Sequence, residues 1–313
     1  MKPTLALAAL AIAAMAHAQV EPDRVIVKVN GKAITGGEYY KRMEVQPGLG
    51  SPSSNGGFVQ IYPGYLALRW LIEEELLIQL ARSQGVEPTP AKVQAEFDYR
   101  MKETPEQFQA MTKLGMTEAD LKHRVLVDLC EFNLTTKGVT VTDFEVEKFY
   151  QDNSARFTLP KRYELRMIRV RGEAAKKPVE DALAAGQKFA DVAARLSIDI
   201  SKLDGGRMGV FPEAGLSPAT RTLVVATKKG ATTAWIEDKG DFAKFLVEDI
   251  LEVKLLPLDD SLKKSIRESL MVDRGQARNN VIMMMQEFRK KAVLDFGNYP
   301  FAEDIKRHFS IGG

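Results

Sequence analysis

The amino-acid sequence predicts an α+β protein in which a mainly helical region is interrupted by a smaller α+β module. Three observations carry that prediction. Leu68, Ile72, Leu76 and Leu80 step by four, with Leu71 beside them and Arg69, Glu73 and Arg82 on other faces, as in an amphipathic helix. Tyr163 to Val170 alternates polar and apolar with period two, the mark of a half-buried strand. Ser261 to Phe296 is long, charged and free of proline, which predicts a C-terminal helix with Gly275 as the point where it could break.

Composition narrows the function classes. The chain has 313 residues, 45% hydrophobic and 27% charged, which suits about two folded domains. Lys and Arg total 44 against 42 Asp and Glu, so the net charge of +2 leaves no electrostatic footprint for nucleic acid. Cys130 is the single cysteine, which excludes an internal disulfide framework and a Cys-rich zinc site. His17, His123 and His308 are the only histidines, too few for most metallohydrolase or Ser-His-Asp arrangements. No phosphate-cradling glycine loop of the P-loop kind occurs, so an ATP-driven cycle has no support. No cofactor and no metal are expected.

Residues 1–18 read as a cleavable signal peptide. Lys2 is a minimal positive start, Leu5 to Met15 is apolar, and Ala16-His17-Ala18 carries small residues where a signal peptidase reads. The alternative is an N-terminal membrane anchor, but the run is too short to span about 30 Å of hydrocarbon. The expectation is a periplasmic or otherwise exported protein with no integral membrane segment once the signal is removed.

The remaining elements follow in order. Val25 to Thr35 reads as a strand, an Asn30-Gly31 turn and a return strand, since both turn residues tolerate positive φ. Thr35 and Glu38 form a capping box that opens a short helix through Met43. Residues 47–57 are a glycine- and serine-rich loop, and the amphipathic helix beyond them stops at Gly85, ahead of Pro88 and Pro90. Helices are expected at 90–102, 105–113, 117–136 and 142–152. In the predicted helix 117–136, Leu121, Val125, Leu126, Leu129, Cys130 and Leu134 recur at helical spacing, so Cys130 reads as a buried hydrophobe rather than a reactive thiol. His123, between Lys122 and Arg124, and His308, after Lys306-Arg307, read as solvated.

The ordered series of local strings resembles the SurA/PrsA-type exported folding factors, in which a helical chaperone region carries a parvulin-type peptidyl-prolyl isomerase domain. The strings are Val29-Asn-Gly-Lys-Ala-Ile-Thr35, Leu71-Ile-Glu-Glu-Glu-Leu-Leu-Ile-Gln-Leu-Ala81, Gly115-Met-Thr-Glu-Ala-Asp-Leu121 and Val141-Thr-Asp-Phe-Glu-Val-Glu-Lys-Phe-Tyr150. Phe157-Thr-Leu-Pro160 then leads into a parvulin-like module with Ala185-Gly-Gln-Lys-Phe-Ala-Asp-Val-Ala-Ala-Arg-Leu-Ser197 and Gly205-Gly-Arg-Met-Gly-Val-Phe211. The resemblance implies a chaperone region at 25–155, a parvulin-like domain at 160–255, and a C-terminal helix at 261–296 packing back on the N-terminal region.

It also implies a proline pocket backed by two histidines and a Cys or Asp. Rotation about an X–Pro bond has a barrier near 20 kcal/mol (roughly) and breaks no covalent bond, so the catalyst needs a pocket and a polar network. Here Met167 holds the first histidine's place. Ala243 holds the second's, or Phe242 or Lys244 if the register slips. No histidine lies between residues 124 and 307, so no realignment restores the pair. Asp199 matches the Cys/Asp position, and the pocket's usual Met and Phe fall on Leu216 and Thr220. Met167 and Met208 are candidate substrate-binding residues, and both also read as packing residues. Met283, Met284 and Met285 occupy three helix faces and so cannot all enter one core stripe, which suits some of them to client contact.

The first reading is therefore a chaperone binding unfolded or extended polypeptide clients without ATP, with little or no isomerase activity. The second is an active parvulin-type isomerase, and the third is a structural subunit of an envelope complex. A homodimer is left open.

Overall fold

The computed structural model describes residues 21–45, 50–52, 58–60, 63–297, 299 and 301–310. The expected signal peptide, and most of the 47–57 loop, lie outside the described residues. Asn30 and Gly31 turn with φ of 49° and 87° and join β1 (Val25–Val29) to β2 (Lys32–Thr35). Thr35 then opens α1 (Gly36–Glu44) through a complete capping box: its backbone N–H donates to Glu38, and the Glu38 N–H donates back to its hydroxyl. A small ribbon, β3 (Gly50–Pro52) with β4 (Phe58–Gln60), precedes α2 (Pro63–Ser83). Then come α3 (Pro90–Glu103), α4 (Pro105–Lys113) and α5 (Glu118–Thr135).

The second part holds α6 (Asp143–Asp152), β5 (Thr158–Leu159), β6 (Arg162–Arg171), α7 (Lys176–Ala184), α8 (Phe189–Leu196), β7 (Arg207–Pro212), α9 (Pro218–Ala226), β8 (Ile236–Asp238), β9 (Asp241–Leu251) and β10 (Lys254–Leu255). The chain finishes with α10 (Asp260–Arg278), α11 (Val281–Lys290), β11 (Leu294–Phe296) and α12 (Ala302–Ser310). It divides into two compact units, residues 1–141 with 268–313, and residues 142–267, so the boundary falls inside α10. No helix among the described residues is long and apolar enough to cross a membrane.

In the helical unit the apolar stripe of α2 is the spine of the core. Leu68, Ile72 and Leu76 are fully buried and meet Val27 and Val29 of β1 and Leu134 of α5. Met285 of α11 and Ile305 and Phe309 of α12 close the same core from the C-terminal end of the chain. β11 pairs antiparallel with β1, Val27 opposite Phe296, so the sheet runs β11-β1-β2. A second cluster, Phe97, Phe108, Leu121 and Val125, packs α3, α4 and α5 together.

The segment expected as one helix over 261–296 is two helices and a strand, and the break is not at Gly275. A Cβ on Gly275 would stand 2.3 Å from the Thr135 carbonyl oxygen, so the glycine lets α10 press against the end of α5 while the helix continues through it. The interruption comes at Asn279 and Asn280. The Asn279 side chain donates to the carbonyls of Thr135 (2.8 Å) and Lys137 (3.0 Å), and Asn280 accepts the Met283 N–H at 2.9 Å to start α11. Arg278 reaches the Gly138 carbonyl at 2.7 Å, so carbonyls at and just beyond the C-terminal end of α5 find donors from the last residue of α10 and from Asn279 after it.

Cys130 is fully buried, and desolvation, aided by the Glu87 charge, pushes its thiol up to about 11. His123 is not free in solvent: it meets Glu74 at 3.3 Å. His308 is half-buried, and burial together with the Arg69 charge lowers its pKa. Sequence neighbours alone missed both, because each histidine faces a residue from α2, about 50 or more positions away.

Candidate functional site

Strands β7, β6, β9 and β8 form one antiparallel sheet in that order. Its period-two pattern separates two faces. Ile168, Val170 and Phe242 face α7 and α8, where they pack on Val179, Phe189 and Val192. Tyr163, Leu165 and Met167 face the other way, with Phe245 and Val247 of β9, Leu216 and Val224.

The β6–β9 register places Met167 opposite Phe245 and Ala243 opposite Arg169. Ala243 therefore shares the Met167 face and packs against the same cluster, whereas Phe242 and Lys244 point to the side covered by helices. Lys244 is buried there, donating to the Thr233 carbonyl at 2.9 Å and pairing with Glu180 at 3.1 Å. The sheet register thus groups Ala243, and neither Phe242 nor Lys244, with Met167.

Asp199 reaches the strand through the backbone of its own loop. The Ile198 N–H donates to the Arg169 carbonyl (2.8 Å), and the Gly206 carbonyl accepts from the Met167 N–H (2.7 Å), so the loop grips β6 on both sides of Ile168. A Cβ on Gly206 would stand 2.4 Å from the Met167 carbonyl oxygen, and its φ of 81° suits glycine alone. The Asp199 carboxylate accepts the Ser201 N–H at 2.8 Å and so caps the short 3-10 turn Ile200–Asp204.

The remaining predicted residues separate. Thr220 lies in the first turn of α9, where its N–H and hydroxyl both engage the Ser217 cap. Met208 is exposed on β7 and belongs to none of the buried clusters. In the helical unit, the three consecutive methionines divide as helix geometry requires: Met285 is in the core, Met284 packs against it, and Met283 is 58% exposed.

Met167, Leu216 and Ala243 thus share one apolar face, with Asp199 nearby in sequence to a loop that binds the same strand. Met167 and Leu216 are buried, and residues 124–307 contain no histidine. Sequence reasoning missed the charged end of this face. Arg169, opposite Ala243, pairs with Asp241 (3.1 Å) and Asp238 (3.3 Å), and Arg171 also reaches Asp241 (3.3 Å). Arginines at alternate positions of one strand and aspartates near the start of its partner were the available signal. A surface cavity of about 290 Å³ in this unit is lined by residues such as Pro160, Pro212 and Arg221, and by none of the predicted site residues.

Residues 141–262 match the PPIC-type PPIase domain family. A foldase protein PrsA from Caldanaerobacter subterraneus subsp. tengcongensis is 26% identical over 272 residues, 82% of each chain. A foldase protein PrsA from Clostridium botulinum is 26% identical over 221 residues, and the alignment spans 65% of that protein's length and 66% of this chain. A solved structure of one of two SurA-like chaperones from Campylobacter jejuni is 20% identical, with 88% of this chain and 100% of that one covered and a TM-score of 0.38.

Proposed function

We propose that this chain, whose residues 141–262 match the PPIC-type PPIase domain family and which is similar to PrsA foldases, is an exported folding factor. It holds unfolded or extended polypeptides without ATP and has little or no isomerase activity. In this reading the helical segments 25–155 and 261–296 hold clients, and the 160–255 module supplies a parvulin-like scaffold whose chemistry has lapsed.

One observation carries the proposal. On the sheet face where the resemblance requires paired imidazoles, the chain has Met167 and Ala243, and no histidine exists between residues 124 and 307. Burial of Met167 and Leu216 further supports a packing role for these side chains. Asp199 is the one feature that favours the alternative, an active parvulin-type isomerase. Its carboxylate is already engaged in capping a turn.

The test pairs a proline-tetrapeptide isomerisation assay with suppression of aggregation of a chemically denatured protein. The expected result is isomerisation at background, unchanged by Asp199→Ala, together with suppression in the absence of nucleotide. Robust isomerisation that Asp199→Ala abolishes would establish the enzyme reading instead.

A further inference from the structure

Helices α2, α5 and α11 enclose an open cleft of about 300 Å³ in the helical unit. Its apolar lining comes from Leu77 on α2 and from Val281, Ile282 and Met285 on α11. Ile282 is 75% exposed, and Met283 beside it is open to water as well. Single exposed apolar residues are ordinary on any protein surface. Ile282, however, lines a concavity rather than a convex face, which is where an apolar side chain can be surrounded.

The charges around the cleft are unequal. Glu73, Glu74 and Glu131 contribute three carboxylates to the lining, against the single guanidinium of Arg289. Glu73 is committed to Arg289, which donates to it from Nε at 2.9 Å. Glu74 is committed to Arg42, which donates two bonds of 2.7 and 2.6 Å, and to His123. Glu131 is exposed and has no hydrogen-bond or ion-pair partner among the described residues. The lining therefore offers apolar surface and one uncommitted negative charge.

We infer that this cleft seats one large apolar side chain of an extended client segment, and that Glu131 pairs with a lysine or arginine next to it in that segment. The inference rests on the client-holding function proposed above and gives that function its substrate class. Charge complementarity selects the occupant, because an acidic neighbour would meet Glu131 in repulsion. Size supports it too: a cleft at the small end of ligand sites has room for a side chain or two, not for a folded element. An exposed ion pair contributes little affinity, so the expected outcome is broad binding biased toward basic–apolar segments.

The test uses the mature full-length protein and three fluorescein-labelled heptapeptides with a central Phe flanked by Lys, by Glu or by Ser, read by anisotropy. The Lys peptide should bind about fivefold more tightly than the Glu peptide, and the gap should close in about 0.5 M salt. Glu131→Lys should reverse the order, Glu131→Gln should erase it, and Ile282→Ser should weaken all three peptides. Both positions are exposed, so unchanged thermal unfolding separates a lost contact from a lost fold.

Equal binding of the Lys and Glu peptides, or an order that Glu131→Lys leaves untouched, overturns the inference. If aggregation suppression persists in that case, the client-holding function stands and its site is elsewhere. Absence of both peptide binding and aggregation suppression refutes the client-holding function itself. Concentration-dependent self-association that Ile282→Ser abolishes would make a second copy of the chain the occupant, and overturns the inference as well.

Discussion

Replacing Gly275 by Ala sets two opposing effects against each other, and the structure says which wins. In an exposed helix interior Gly→Ala stabilises by about 1 kcal/mol, because alanine gives up less backbone entropy. At Gly275 the new Cβ would lie 2.3 Å from the Thr135 carbonyl oxygen, 2.9 Å from its carbonyl carbon and 3.3 Å from the Thr136 Cα. All three are backbone atoms at the end of α5, so no rotamer change relieves the overlap. The helices must separate by roughly 1 Å, and overpacking of that kind costs about 1–3 kcal/mol. Separation also stretches the bonds from Asn279 to the Thr135 and Lys137 carbonyls, each a net contribution of about 1 kcal/mol. The sum, after the helix-propensity gain, is a destabilisation of about 1–3 kcal/mol. For a unit of this size that lowers Tm by roughly 3–10 °C. Differential scanning calorimetry of wild type and Gly275→Ala measures it, with Ala277→Gly on the exposed side of α10 as the opposite control. A Gly275→Ala protein that melts at or above wild type would refute the close approach of α10 and α5.

Two further perturbations have signs fixed by the structure. Burial raises the Glu74 pKa, but hydrogen bonds from His123 and Arg42 outweigh it and hold the carboxyl at about 2 against an ordinary 4.5. A folded pKa below the unfolded one adds stability that is complete above about pH 4.5 and lost as pH falls toward 2. Urea titrations should therefore show wild type losing about 2–3 kcal/mol more than Glu74→Gln between pH 6 and pH 2, and parallel losses would sink the assignment. Among the methionines, Met285→Ser should cost about 3 kcal/mol, since Met285 is only 8% exposed within the core. Met283→Ser should stay within about 0.5 kcal/mol, and equal melting temperatures for the two variants would contradict their placement.

Local patterns carried most of the secondary structure. The Asn30-Gly31 turn, the Thr35–Glu38 capping box, and the four-residue leucine and isoleucine step of α2 are short-range devices. The physics that forms them acts within a few residues, so it can be read along the chain. The α+β class and the absence of an imidazole pair in the module were legible for the same reason: one is periodicity, the other is composition. Which residues share a face with Met167 was not legible to one position. Alternation on β9 admits Phe242, Ala243 or Lys244 until pairing with β6 selects Ala243.

What only the tertiary structure decided lies where partners are far apart in sequence. β11 is three residues long and exists because β1, more than 260 positions earlier, supplies its hydrogen-bond edge. Gly275 looked like a helix breaker, since glycine lowers helix propensity, yet contact with the Thr135 backbone makes it the residue that keeps α10 in place. Glu74, His123 and Arg42 come from three different helices, and none signals the others in the linear chain. The sequence by itself determined most of the elements and the absence of histidine from residues 124–307, because propensity and composition are local quantities. The tertiary structure decided the C-terminal strand, the helix break and the cleft bearing Glu131, because packing and long-range charge pairing exist only once distant segments meet.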